Sequence, residues 1–192
     1  MKKIFLSFVA IAIAASSFAQ ATTWKSDPRH SQLKFDITHL MVSTVSGAFT
    51  DFSATVVSSK PDFSDAVYTL TAKTASINTG DDQRNAHLKS ADFFAADSLP
   101  TLSFVSTKVV KVSDGKYTVT GNLTLHGVTK VETLDVTYRG TTTSPMTKKP
   151  LAGFKVTGTI ERTDFSIGTK FPSAMLSDDV DITVEAEVSP TM

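Results

Sequence analysis

The sequence predicts an all-β domain, an antiparallel barrel or sandwich of eight or nine strands. Apolar and polar residues alternate with a period of two along most of the chain, which turns one face of each strand inward and the other toward water. Short turn signals rich in Gly, Asp and Pro separate these segments. One short polar segment has the chemistry of a capped helix instead.

The alternation is clearest at Leu33, Phe35 and Ile37, each of which is followed by a polar residue. The same pattern predicts strands near residues 22–26, 31–39, 45–57, 67–77, 102–112, 117–125, 129–139, 153–163 and 179–188. No repeat or linker composition interrupts the series, so the strands form one domain.

Turn chemistry explains how the strands are joined. Asp114-Gly115 predicts a tight hairpin, and His126-Gly127 joins the next pair of strands. The segment near Asp82–Ser90 predicts the short helix, with Asp81 or Asp82 as its N-cap. Together these signals account for the connections without a second domain.

Two glycines, Gly121 and Gly158, lie on inward-facing strand positions. A glycine inside a strand often marks a bend or a place where another group approaches the backbone. Barrel closure and room for a ligand both explain these two positions, and the sequence leaves the choice open.

The N-terminus predicts a signal peptide at residues 1–19. Two lysines precede an apolar run that is too short to span a bilayer. Small residues then offer cleavage after Ala19 or Ala21, which leaves a mature β-barrel domain at 20–192. We therefore expect an exported protein, with the periplasm as its location.

Composition limits the class of partner. Cleavage after Ala19 leaves 17 basic against 19 acidic residues, a net charge near −2, which argues against nucleic acid or an anionic membrane as partner. The chain has no Cys, so disulfides do not stabilise the domain. Ten of the 13 Phe remain after cleavage, enough for a large apolar interior.

Recognisable catalytic and metal motifs are missing from the sequence. The histidines, His30, His39, His87 and His126, sit on different elements and lack metal-ligand spacing. No G-x-S-x-G nucleophile elbow and no glycine-rich phosphate loop occur. We expect no metal site, no cofactor and no catalytic residue.

Arg84 and His87 are three residues apart, so they share one face of the predicted helix. They form either a surface pair with Asp92 as partner or a polar clamp for the head group of a ligand. Phe93 and Phe94 follow at once and are either core residues or part of the same ligand site.

Seven segments, read in order, resemble the YceI-like family of polyisoprenoid-binding proteins over about residues 23–188. They are WKSDPRHS (24–31), FDITH (35–39), VSGAF (45–49), RNAHLKSADFF (84–94), PTLSF (100–104), GNLTLHGVTK (121–130) and RTDFSIG (162–168). Asn85 departs from the family pattern, which usually has Asp after the Arg.

The resemblance implies an extended, lipocalin-like antiparallel barrel of eight strands around an apolar tunnel. The ligand it implies is an isoprenoid lipid, either a polyprenyl chain or an isoprenoid quinone, held for transport, storage or a stress response. It implies no enzymatic activity and no stable membrane insertion. Whether the protein forms a homodimer is left open by the sequence.

The residues that the period-two alternation turns toward the interior are the candidates for lining such a tunnel. The apolar set is Phe35, Ile37, Phe49, Leu70, Phe104, Leu123, Leu125, Val156, Ile160 and Phe165. The mouth and head-group set is His39, Arg84, His87, Phe93 and Phe94.

Two other functions remain as alternatives. One is an enzyme that acts on an isoprenoid or another small molecule through Arg84 and His87. The other is a structural barrel with a filled core. A continuous internal void favours the carrier, and large inward side chains at every layer favour the structural barrel.

Overall fold

The computed structural model describes residues 20–191; the predicted signal peptide at 1–19 lies outside the described residues. The strands are β1 Thr22–Ser26, β2 Gln32–His39, β3 Ser43–Phe49, β4 Phe52–Ser58, β5 Val67–Lys73, β6 Ile77–Asn78, β7 Thr101–Ser113, β8 Lys116–Leu125, β9 Val128–Thr143, β10 Pro150–Glu161 and β11 Leu176–Pro190. The helix α1 spans Asp82–Lys89, and 3₁₀ turns occupy Thr74–Ser76 and Arg162–Phe165.

Eight strands form a closed antiparallel ring in the order β1-β4-β5-β7-β8-β9-β10-β11. The ring closes because β1 pairs with the end of β11, with Trp24 opposite Pro190 and Ser26 opposite Val188. β2 pairs with the earlier part of β11, and β3 and β6 follow it outward. The prediction of an eight-stranded barrel with one short helix is confirmed.

The structure corrects two predicted strands. The segment 45–57 is broken at Thr50 and Asp51, because β3 pairs with β2 while β4 pairs with β1. The segment 67–77 ends as a strand at Lys73, whose amide donates to the carbonyl of Asp51 at 2.9 Å. Both breaks lie at one level of the barrel, where the wall bends.

The predicted turns have the expected chemistry. Gly115 has φ 68°, and the two-residue turn of His126 and Gly127 has φ 50° and 75°. Asp81 caps α1, since its carboxylate accepts from the amide of Arg84 at 2.9 Å. The positive φ angles of Gly115 and Gly127 are ones that glycine adopts without steric cost.

The barrel has one sealed end. Phe63 is 2% exposed and packs edge-on against Trp24 and Phe154, with ring centroids 5.4 and 5.0 Å apart. Burial disfavours ionisation of Asp65, but hydrogen bonds from Ser58 and Ser59 outweigh it and lower the Asp65 pKa to about 2. The ionised carboxylate therefore ties the ends of the loop that carries Phe63.

The opposite end of the barrel is bordered by α1, the turns that follow it, and the loop before β11. A first group of buried residues lies at this end and includes Phe49, Phe93 and Ile167. A second group surrounds Phe63 at the sealed end. Between residues 20 and 191, no helix is long and apolar enough to cross a bilayer.

Candidate functional site

A cavity of about 410 Å³ lies inside the barrel. Its wall includes members of both buried groups, such as Leu33 and Ile160 near the helix and Val119 and Val188 toward the sealed end. Leu70, Leu123 and Val156 contact both groups. The cavity therefore extends along the barrel interior, and these last three residues form its waist.

Nine of the ten apolar residues selected from the sequence line this cavity. They are Phe35, Ile37, Phe49, Leu70, Phe104, Leu123, Leu125, Val156 and Ile160. Phe165 does not line it and is a correction to the selection. It belongs to the 3₁₀ turn Arg162–Phe165, outside any alternating strand, and is fully buried behind the wall.

The wall contains further apolar residues beyond the candidate set, at positions that strand parity also turns inward. They share the inward face with the selected residues and include Leu33, Val56, Leu102, Val119, Leu134, Val136, Phe154, Val180, Ile182, Val184 and Val188. The interior is therefore apolar at every level of the barrel.

Glycines keep large side chains against the wall. A β-carbon at Gly121 would collide with the ring of Phe104, and one at Gly158 would collide with Leu134. Both neighbours line the cavity and lie over the glycine of an adjacent strand. The space that the two glycines leave is thus occupied by side chains of the wall.

Tyr68 and Glu132 are titratable side chains that interrupt the apolar wall, besides its polar residues at the mouth. The hydroxyl of Tyr68 has no hydrogen-bond partner among the described residues, and burial raises the Tyr68 pKa, so the group stays protonated. Burial also raises the pKa of Glu132, with repulsion from Asp164 and Glu161 adding to the effect and Lys130 opposing it. Neither group had been selected from the sequence.

Helix α1 places two polar residues at the open end. The Arg84 guanidinium donates from Nε to Oγ1 of Thr79 at 2.8 Å and from Nη2 to the Thr79 carbonyl at 2.9 Å. Asn85 accepts from the amide and the hydroxyl of Thr79, both at 2.8 Å. Arg84 lines the cavity. Its hydrogen bonds to Thr79 use Nε and Nη2 and do not involve Nη1.

His87 lies among aromatic rings at the same end. Its ring is edge-on to Phe93, with centroids 5.0 Å apart, and Phe93 stacks on Phe171 at 5.2 Å. Nε2 of His87 lies 3.8 Å from Asp92, which is closer to Lys170, at 2.6 Å. The predicted partner Asp92 is therefore shared with a lysine.

The remaining mouth candidates also reach the cavity. Phe94 lines it and packs edge-on against Phe49, with centroids 5.5 Å apart. His39 lines it from the end of β2 and is exposed. All five predicted mouth residues, His39, Arg84, His87, Phe93 and Phe94, thus converge on one end of the cavity.

The other two histidines lie away from the mouth group. Nδ1 of His30 is 3.1 Å from Asp27 and 3.6 Å from Glu187, in an exposed cluster that does not line the cavity. Nδ1 of His126 lies 3.1 Å from the carbonyl of Phe165. The four histidine side chains therefore do not form one cluster.

Arg162 is the organising residue that sequence analysis missed. It is 3% exposed, and its five N–H groups reach five backbone carbonyls at 2.7–2.9 Å, those of Ile167, Gly168, Phe171, Leu176 and Ser177. Nη2 also lies 3.2 Å from Asp178 in an ion pair. Arg162 lies two residues after Ile160, so the period of two places it on the same inward side. That spacing was the signal in the sequence that could have identified it.

An antiparallel barrel with an apolar cavity, sealed at one end and polar at the other, is the architecture of small barrels that enclose one ligand. The chain belongs to the YceI-like family: the sequence model of the YceI-like domain matches residues 24–188. The resemblance noted from the sequence is thereby confirmed.

Relatives and solved structures agree with this assignment. A UPF0312 protein of Staphylococcus aureus is 40% identical over 172 residues, which cover 88% of this chain and 98% of the relative. BcnA of Burkholderia cenocepacia is 27% identical with a TM-score of 0.76, covering 85% of this chain and 98% of that one.

Two further structures share the barrel. The YCEI protein of Campylobacter jejuni is 34% identical with a TM-score of 0.74, covering 81% of this chain and 91% of that one. A polyisoprenoid binding domain from Saccharophagus degradans is 17% identical with a TM-score of 0.66, covering 88% and 99%. At that identity the second likeness shows the fold alone.

Replacing Arg162 tests its role in holding the loop before β11. Arg162→Met and Arg162→Lys should each lower the free energy of unfolding by about 3–5 kcal/mol, because five backbone carbonyls and the half-buried carboxylate of Asp178 lose their donor. Lysine keeps the charge but has too few donors in the wrong geometry. Chemical denaturation measures both changes.

Arg139 is the matched control, since its ion pair with Glu185 at 2.9 Å is exposed. Arg139→Met should change the free energy of unfolding by only about 0–1 kcal/mol. Similar small losses at both arginines would contradict the organising role of Arg162.

Proposed function

We propose that this protein is an exported carrier that holds an isoprenoid lipid, either a polyprenyl chain or an isoprenoid quinone, inside its barrel. The carrier serves transport or storage of the lipid, or a stress response that depends on it. The observation that carries the proposal is the cavity itself, which passes the waist of Leu70, Leu123 and Val156 and reaches both buried groups.

The size and lining of the cavity suit a slim apolar ligand. Its volume of about 410 Å³ falls in the range of about 300–1,000 Å³ that is typical of small-molecule sites. Each methylene of a chain that leaves water for such a wall gains about 0.8 kcal/mol. The alternative of a structural barrel with a filled core is disfavoured, because the side chains of a filled core would pack closely, whereas this barrel contains a cavity.

The polar asymmetry of the barrel favours one orientation of the ligand. Phe63 seals one end with aromatic contacts, whereas Arg84 and His87 lie at the other. We infer that the apolar tail enters first and that the head group stays at the mouth. Nη1 of Arg84 can donate to a quinone carbonyl or a phosphate there.

Two comparisons add support at different levels. Membership of the YceI-like family supports a shared barrel function. The Saccharophagus degradans neighbour is itself described as polyisoprenoid-binding, which supports the choice of lipid only by analogy of fold. For the enzymatic alternative, Arg84 is engaged with Thr79, and no contact among the described residues favours proton transfer by the pair.

A charge placed at the waist tests the carrier proposal. Leu123→Glu should abolish co-purification of lipid, because a carboxylate in the apolar wall is costly to keep beside a hydrocarbon chain. Val105→Glu is the matched control, since Val105 is 43% exposed on the neighbouring strand β7 and its variant should keep its lipid. Mass spectrometry of solvent extracts measures the lipid in each protein.

The waist experiment needs a second variant, because Leu123→Glu can also weaken the fold. Val156→Trp narrows the cavity without a charge, and an overpacked core costs about 1–3 kcal/mol. It should also expel the lipid, with circular dichroism to confirm that the barrel is folded. Wild-type lipid content in both folded variants would refute the carrier proposal.

The mouth has its own test. Arg84→Ala should weaken binding of an isoprenoid quinone several-fold, as expected for the loss of hydrogen bonds worth about 0.5–1.5 kcal/mol each at a wet rim. Binding of a polyprenyl hydrocarbon should stay unchanged. Lys89→Ala, on the same helix but outside the cavity wall, is the control. Titration of each lipid gives the affinities, and equal losses for both lipids would show that Arg84 has only a structural role.

Export follows from the apolar leader and its small-residue cleavage sites. The mature protein recovered from the cell envelope should begin at Gln20 or Thr22. N-terminal sequencing measures this directly, and an intact Met1 in that fraction would count against export.

A further inference from the structure

The turn between β2 and β3 presents three consecutive apolar side chains to solvent. Leu40, Met41 and Val42 are 49%, 76% and 83% exposed; we call these three residues the apolar tip. Isolated exposed apolar residues are common on protein surfaces, but a contiguous group marks an interaction site.

The backbone of the apolar tip is strained. Leu40 and Met41 have φ angles of 51° and 60°, in the left-handed region that large side chains disfavour. Hairpin turns usually fill such positions with Asn, Asp or Gly, and the turn at His126-Gly127 of this barrel has glycine. Bulky residues persist at the tip despite this cost, and such strain concentrates at functional sites.

Hydrogen bonds hold the apolar tip in place beside the mouth. The amide of Val42 donates to the carbonyl of His39 at 3.1 Å, and the amide of Leu40 donates to the carbonyl of Met175 at 2.9 Å. His39 and Met175 both line the cavity, and Met175 is itself 45% exposed. The tip is therefore held in a defined position beside the rim of the cavity.

The chemistry of the tip favours a lipid bilayer over a protein as its partner. The segment 37–45 contains no Asp, Glu, Lys or Arg, so no charge must leave water when the tip enters an apolar phase. A stable complex with a second copy needs about 20–30 residues a side, many more than the tip provides. Its side chains project from a narrow hairpin, a shape that suits shallow insertion.

We propose that the apolar tip docks reversibly on a lipid bilayer and turns the mouth of the barrel toward it. The proposal rests on the carrier function, because it supplies the path by which an insoluble ligand passes between membrane and tunnel. Docking is interfacial: the tip enters the region of the head groups and first acyl carbons, and nothing spans the membrane.

Tryptophan fluorescence tests docking without any ligand. Met41→Trp places a reporter on the tip, and its emission should shift to shorter wavelength when phosphatidylcholine vesicles are added. Met146→Trp is the matched control, since Met146 is 89% exposed in the turn between β9 and β10, toward the sealed end. Its emission should not change, and Trp24 contributes the same background to both.

Two fluorescence results would overturn docking. One is a Met41→Trp emission that vesicles leave unchanged or that shifts no more than that of Met146→Trp. The other is a shift that grows with protein concentration in the absence of vesicles, which would assign the tip to self-association.

The strain of the tip allows a second test that separates docking from folding. Met41→Gly should leave the melting temperature equal or higher, because glycine accepts the positive φ. Transfer of a fluorescent prenyl lipid from the loaded protein to phosphatidylcholine vesicles should nevertheless slow roughly tenfold, as expected when one buried side chain is lost. Met146→Gly should leave the transfer rate unchanged.

The two tests also separate docking from the carrier function. An unchanged transfer rate in Met41→Gly, with normal lipid retention, would overturn docking and leave the carrier proposal standing. A vesicle-dependent shift of Met41→Trp in a protein that retains no lipid would support docking and remove its link to the carrier function.

Discussion

The buried guanidinium of Arg162 is the interaction on which the open end of the barrel depends. The loop between the 3₁₀ turn and β11 has no strand partner, so its carbonyls need donors from elsewhere. From a single planar group, Arg162 donates to three of them, those of Ile167, Gly168 and Phe171. It also donates to the carbonyls of Leu176 and Ser177 at the start of β11. The loop carries Phe171 and Met175 into the cavity wall. At Gly168 the absence of a β-carbon leaves room for Phe93, so the aromatic rings at the mouth follow from the position of one side chain.

The buried side chains that stabilise the barrel also form the wall of its cavity. Without cysteine, it relies on packed ends: aromatic rings around Phe63 at one end and the group that includes Phe93 and Phe165 at the other. Along the wall, Phe104 and Leu134 lie over Gly121 and Gly158, which keeps these large side chains against the wall. The same apolar side chains therefore pack against one another around an internal cavity.

Sequence alone predicted the strands and most of the wall, because both depend on a local rule. Alternation with a period of two determines which residues face inward, and it selected Phe35, Leu123 and Ile160 correctly as wall residues. It failed where the chain leaves the strand, at the bend of Thr50 and at the 3₁₀ turn that buries Phe165. Parity with Ile160 could have placed Arg162 on the inward side, but its partners are backbone carbonyls, and their positions leave no trace in residue identity.

Because one end is sealed, the barrel can hold only a limited length of a linear ligand. A tube with one opening lets a linear molecule advance only until its leading end meets the floor near Phe63 and Phe154. For chains longer than the bore, every added unit remains outside and lifts the head farther from Arg84 and His87. For shorter chains the head sinks below these groups. If the barrel carries a lipid as proposed, the depth of the bore would act as a gauge, and the polar rim would recognise a head group best when the chain behind it matches that depth.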